Sequence, residues 1–345
     1  MRIKAPGLID IHSHLRDPGF EYKEDIQSGS LAALTGGYTT IVCMANTSPV
    51  LDTPERIRAQ IKRFETLPAR LCQAAAATIG QQGRELTDFA ALKSAGAAAI
   101  SDDGQAILDA KVMYDALQAA KAVGLPLMTH SEDARIPGRG AAAEEYMVAR
   151  DLTLAKYADA PVHIQHVTTA KSADLIRQAK RGGTAVTCET CAHYFMFTED
   201  LRRVKGAIAK VFPPLRTQRD VEAIIEALAD GTIDIIATDH APHSREEKAR
   251  DWDSAPGGMI GLETTFAASL TALYHSGALT LPQLLAKFTD NPRELLGLPK
   301  TDDYIEFDSD EEWTLTEADI KSKSSNSPFI GITFRGRIKE TVCVK

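Results

Sequence analysis

The chain has 345 residues, 44% of them apolar and 25% charged, with a formal net charge of −8. That balance describes a globular protein of one large domain with a small appendage. It contains no apolar run long enough to span a bilayer, and it argues against nucleic acid as a partner because phosphate binding wants a basic face.

The opening residues, MRIKAPG, lack the apolar core of a signal peptide, so the expectation is a cytoplasmic protein. Short β-type runs then alternate with longer amphipathic ones. The predicted strands are Leu8–Ile11, Thr39–Met44, Leu71–Ala75, Ala97–Ile100, Pro126–Met128, Val162–Gln165, Ala185–Cys188 and Ile233–Ala237. Predicted helices follow them at Asp25–Leu34, Pro54–Phe64, Arg84–Ser94, Lys111–Val123, Ala141–Tyr157, Ala170–Arg181, Arg219–Ala229 and Gly261–Tyr274. Eight strand–helix units in this order predict an α/β fold of the (β/α)8 TIM-like barrel type, spanning 1–300. An open doubly wound sheet has the same alternation but would leave the first and last strands far apart. Residues 301–345 change character to alternating acidic and apolar positions, and predict a small β appendage or tail. The five cysteines, Cys43, Cys72, Cys188, Cys191 and Cys343, are odd in number and scattered, and read as reduced thiols.

Polar residues fall where a barrel gathers its chemistry, at the C-terminal ends of the strands. His12 and His14 end the first strand, Asp102 and Asp103 follow the fourth, His130 ends the fifth, His166 the sixth and Asp239 the eighth. A His-x-His pair on a strand turns both rings to one face, which suits zinc or a similar borderline metal. The distribution predicts two ions, one on His12, His14 and Asp239, the other on His130 and His166, with a carboxylate from Asp102 or Asp103 between them. No lysine stands at the end of the fourth strand, since Lys93 and Lys111 lie in the flanking helices, so a lysine carbamate is the weaker bridge. Asp239 is the candidate general base and acid. Glu189 ends the seventh strand and is expected to be a structural carboxylate bonded to a neighbour such as His193.

The stretches GLIDIHSHLRDPG, GGYTTIVCMANTSP, ISDDG, THSED, QHVTT, TCETCAHY, IDIIATDHAPHSREEK and GLETTF together resemble the dihydroorotases of the amidohydrolase superfamily. Within it they are closest to the branch that includes the dihydroorotase domain of the animal multifunctional pyrimidine enzyme. The resemblance implies a reversible, zinc-dependent closure of N-carbamoyl-L-aspartate to L-dihydroorotate in pyrimidine synthesis. A hydroxide bridging the metals would be the nucleophile and Asp239 the proton carrier. It also implies that Asp103 is the bridging acid, and that Arg16, Asn46 and His243 hold the substrate carboxylate. A second copy of the chain and aspartate transcarbamoylase are the partners it raises. The alternatives are another cyclic amidase (a hydantoinase, dihydropyrimidinase or allantoinase) and a non-catalytic scaffold for the transcarbamoylase. Two departures stand out. KVFPPLR places Phe212 where relatives carry an asparagine or arginine that touches substrate, and the chain is expected to start almost on the first barrel strand, without the usual N-terminal β segment. RIPGRG reads as a loop at the barrel mouth.

Overall fold

The computed structural model describes residues 2–344. A first strand, β1 (Arg2–Pro6), precedes eight more: β2 (Leu8–Ser13), β3 (Tyr38–Cys43), β4 (Arg70–Ala75), β5 (Ala99–Ile100), β6 (Met128–Thr129), β7 (Val162–Ile164), β8 (Val186–Cys191) and β9 (Ile235–Ala237). The chain ends with β10 (Tyr304–Thr314) and β11 (Thr333–Val342).

Strands β2 to β9 pair in parallel as β2-β3-β4-β5 and β6-β7-β8-β9. Single parallel bridges join the two groups, Ile100 to Leu127 at one seam and Ser13 to His240 at the other, which closes the ring. The second seam is reinforced by Asp10 of β2, whose buried carboxylate accepts the Thr238 backbone N–H at 2.9 Å and its hydroxyl at 2.7 Å. β2 and β3 are buried at every residue, as strands covered on both faces must be. Ile9, Ile11, Val42, Met44, Ala74, Ala99, Met128, Ile235 and Ala237 form one cluster drawn from around the ring, which fills its interior.

A larger cluster lies between the strands and the surrounding helices. Helices α1 (Ile26–Thr35), α2 (Pro54–Phe64), α3 (Phe89–Ser94), α4 (Ala110–Val123), α5 (Ala141–Ala158) and α6 (Ala170–Arg181) cover the first six barrel strands, and a helix at Gln218–Ala229 covers β8. Their starts follow from capping. Asp25, Thr53, Asp88, Asp109 and Thr169 each accept a backbone N–H of the first turn, and Pro54 occupies a position where its missing N–H costs nothing. The helix expected over Gly261–Tyr274 starts later, at Thr265, and changes to a π turn over Leu270–Tyr274.

The expectation that the chain begins almost on the first barrel strand is corrected by β1, which pairs antiparallel with β10, itself paired with β11. The three-stranded sheet therefore draws on both ends of the chain. Ile305, Phe307 and Ser309 form its buried face. Phe307 packs edge-to-face on Phe266 at 5.2 Å, and Phe266 on Phe288 at 5.5 Å, so an aromatic ladder fastens the sheet to the barrel. Cys43, Cys72, Cys188 and Cys191 are free thiols.

Candidate active site and metal centre

Strand geometry decides which side chains meet. His12 is within β2 and His14 follows it; Asp103 lies beyond β5, His130 beyond β6, His166 beyond β7 and Asp239 beyond β9. All six are buried, and all stand at the C-terminal mouth of the ring. His166 and Asp239 reach it through backbone in the left-handed region, with φ of 35° and 44°. Such conformations cost roughly 1–3 kcal/mol each and gather at functional sites.

Asp103 sits between two histidine pairs. Its Oδ2 lies 3.2 Å from Nε2 of His12 and 3.2 Å from Nε2 of His14, while its Oδ1 lies 3.2 Å from Nδ1 of His130 and 3.3 Å from Nε2 of His166. Asp239 joins the first pair, with Oδ1 3.1 Å from His14 Nε2 and 3.5 Å from His12 Nε2. His12 with His14 and Asp103, and Asp103 with His130 and His166, are two sets of ligand atoms close enough to share a cation each. His12 Nε2 is buried without a hydrogen-bond partner among the described residues. His130 Nδ1 and His166 Nε2 face each other at 2.8 Å. Imidazoles and carboxylates converging in this way form a donor set suited to zinc-like divalent ions. Asp102 is turned away, accepting both the backbone N–H and the hydroxyl of Thr78. Lys93 and Lys111 lie in α3 and α4, where they bond to the Val123 carbonyl and to Asp115 and not to the cluster.

Glu189 is bonded differently from expectation. Its Oε1 is 2.6 Å from His12 Nδ1 and its Oε2 3.3 Å from His163 Nε2, with no bond to His193. Burial pushes the Glu189 carboxyl up, but the neighbouring His12 and His163 outweigh it and hold it at about 2. An ionised Glu189 fixes the proton of His12 on Nδ1 and leaves Nε2 for a ligand, the usual outer partner of a metal-binding histidine. Glu132 stands behind His130 in the same way, 3.5 Å from its Nε2. The missed partners were spatial. His163 comes beside Glu189 through the β7–β8 register, which the sequence spacing does not display.

A second group forms beside this cluster. The Arg16 guanidinium is half-buried and takes part in no ion pair among the described residues; Nε donates to the Pro242 carbonyl at 3.1 Å, and Nη2 lies 3.4 Å from His243 Nε2. Burial lowers its pKa to about 10, so it stays charged near neutrality. His243 is held to about 2 by burial and then by the charges of Arg16, Lys23 and Lys248, so it is neutral. Its Nε2 lies 3.0 Å from the Gly257 carbonyl. Asn46 has a task besides the expected one: its Oδ1 accepts from Nδ1 of His14 at 2.9 Å, fixing that ring as Glu189 fixes His12. A half-buried guanidinium with no carboxylate partner is suited to receive an anion.

Arg16, Asn46 and His243 line one cavity of about 190 Å³ together with His14, Asp103, His130, His166 and Asp239. A larger cavity, about 560 Å³, opens among the residues that lead into β6, β7 and β8 and contains none of the ligand cluster.

Solved structures share the fold. L-hydantoinase (dihydropyrimidinase) from Arthrobacter aurescens superposes with a TM-score of 0.90 at 23% identity, covering 99% of this chain and 84% of that one. The dihydropyrimidinase from Brevibacillus agri gives 0.86 at 20% identity, covering 99% and 83%. Sequence discriminates more finely. The Dihydro-orotase-like family matches residues 1–170. The dihydroorotase of Acetivibrio thermocellus is 43% identical over 99% of this chain and 86% of its own length. That of Clostridioides difficile is 42% identical over 99% and 86%. Identity sustained along both chains, at a level the hydantoinases do not approach, makes this protein a cyclic amidohydrolase of the dihydroorotase family.

Proposed function

We propose that the protein interconverts L-dihydroorotate and N-carbamoyl-L-aspartate as a cytosolic enzyme with two zinc ions. The observation that carries the reading is Arg16, a half-buried cation with no carboxylate partner among the described residues, opening into the same cavity as the histidine–aspartate cluster. One ion would be held by His12, His14 and Asp239, the other by His130 and His166, with Asp103 between them. When bound, such a pair supplies Lewis acidity to the scissile carbonyl and lowers the pKa of water.

The chain's own residues do the rest. Arg16 takes the substrate carboxylate, as a planar fork suits, with neutral His243 and the Asn46 amide completing the pocket. In the hydrolytic direction water attacks the ring amide carbonyl and Asp239 accepts its proton. As the carbon–nitrogen bond breaks, Asp239 returns that proton to the departing nitrogen. Ring closure retraces the path. Burial pushes the Asp239 carboxyl up, but His12 and His14 outweigh it and hold it at about 2, the ionised form a base requires.

The test is turnover of L-dihydroorotate against hydantoin and allantoin, with metal analysis of the same sample. Conversion of dihydroorotate alone, with two zinc ions per chain, is expected; preference for hydantoin would favour the cyclic amidase alternative. Pairing with a second copy and association with aspartate transcarbamoylase belong to the same proposal, supported by family membership. Light scattering with and without the transcarbamoylase tests both.

A further inference from the structure

Phe212 lines the substrate cavity with a ring that has no hydrogen-bond donor. The guanidinium carbon of Arg139 lies 3.7 Å from the centroid of that ring. Gly257 also packs against the ring, since a Cβ there would come within 2.4 Å of it. Arg139 arrives through the turn Pro137–Arg139 in the loop after β6, and lines the same cavity.

Four features fix this guanidinium as a built element. Its Nη1 donates to Glu132 Oε2 at 2.6 Å, and Glu132 backs the His130 ring. Its backbone carbonyl is pinned by Arg216 Nη1 at 2.9 Å. Its side chain is only 23% exposed. Its φ is 48°, which puts it with Arg16, His166 and Asp239 among the non-glycine residues of left-handed backbone. Arginine presents five N–H donors, and among the described residues no side-chain nitrogen except Nη1 donates a hydrogen bond.

Arg16 follows β2 and Arg139 follows β6, four strands away in a closed ring of eight, and both side chains line the same cavity. Dihydroorotate has matching chemistry. Its scissile carbonyl, its ureido carbonyl and the carbon carrying the carboxylate occupy alternate ring positions. With the scissile carbonyl over Asp103 and the carboxylate on Arg16, the ureido oxygen points away from both, toward a third wall of the cavity that Arg139 also lines. We propose that Arg139, laid on Phe212 and tethered by Glu132, donates to the ureido oxygen of the substrate and is a specificity-determining residue of this enzyme. The inference rests on the dihydroorotase reading above.

The experiment compares dihydroorotate with its 2-thio analogue, whose sulfur is the weaker acceptor, on the parent enzyme, Arg139→Met and Phe212→Leu. The parent is measured first; if it does not turn over dihydroorotate, the reading falls and takes the inference with it. Given parental activity, Arg139→Met is expected to lower kcat/KM for dihydroorotate about ten- to a hundredfold, mainly through KM, as loss of a charged hydrogen bond would. The parent's preference for the oxo substrate should then collapse toward unity, with metal content unchanged. Phe212→Leu, which keeps the charge but removes its platform, should move both quantities the same way by less. A kcat/KM within about threefold of the parent, or a loss that leaves the oxo-to-thio ratio untouched, overturns the inference. The second outcome would mean that Arg139 only supports Glu132.

Discussion

Two arginine and histidine arrangements with different purposes meet at the barrel mouth, and single substitutions separate them. Arg16 hydrogen-bonds to none of the histidine–aspartate cluster's ligand atoms; its partners are the Pro242 carbonyl and His243. Arg16→Gln is therefore expected to lower kcat/KM by about a hundredfold, the scale of losing a charge-assisted contact to the substrate carboxylate, while metal content stays at the parent level. Glu189→Gln should do the reverse. The amide no longer holds the His12 proton on Nδ1, and zinc affinity measured by chelator competition should fall about 10–100-fold. Had Glu189 been bonded to His193, as sequence proximity suggested, that substitution would leave zinc affinity alone.

At the scale of elements, the strand ends hold the loops, and the ion pair between Arg70 of β4 and Asp303 just ahead of β10 is one such tie, at 2.6 Å. Burial pushes the Asp303 carboxyl up, but Arg70 and the Val344 N–H outweigh it and lower its pKa. The stability this contributes is present above the ordinary aspartate value of 3.8 and is lost as pH falls below it. Asp303→Asn should cost about 1–2 kcal/mol at pH 7, with the exposure of Arg70 limiting the effect. The gap between the two denaturation curves should narrow below pH 3.8. A gap that widens on acidification would contradict this account.

The elements also show where sequence reading succeeds and stops. α2 and α6 were expected at Pro54–Phe64 and Ala170–Arg181 and occur there, because each begins at a threonine cap and carries a strong apolar stripe. The six ligand-type residues were legible for a related reason: a short buried strand ending in a histidine or an acid has little else to offer in a barrel. β1 escaped because RIKAP buries only Ala5 and its partner β10 lies some three hundred residues away. The His163–Glu189 contact escaped because inter-strand register is not written in either strand alone. RIPGRG reads as a loop at the mouth, but nothing in it says that Arg139 reaches Phe212.

For the whole molecule, the closed ring and the small sheet have separate tasks. Deleting residues 1–6 would strip β10 of its β1 partner and uncover the edge over Ile305 and Phe307. A lower melting temperature with metal content intact is the expected result, read by calorimetry and metal analysis. A drop in metal content would mean that the sheet shapes the mouth as well. The ring itself is what brings the ends of β2, β5, β6, β7 and β9 to one place, and only the convergence of residues that far apart in sequence yields two candidate ligand sets sharing Asp103. The most direct test is anomalous diffraction at the zinc edge from crystals of the zinc-loaded protein. Two peaks about 3.5–4 Å apart, one beside His12 and His14 and the other beside His130 and His166 with Asp103 between, are predicted. A single peak, or peaks away from these side chains, would contradict the account.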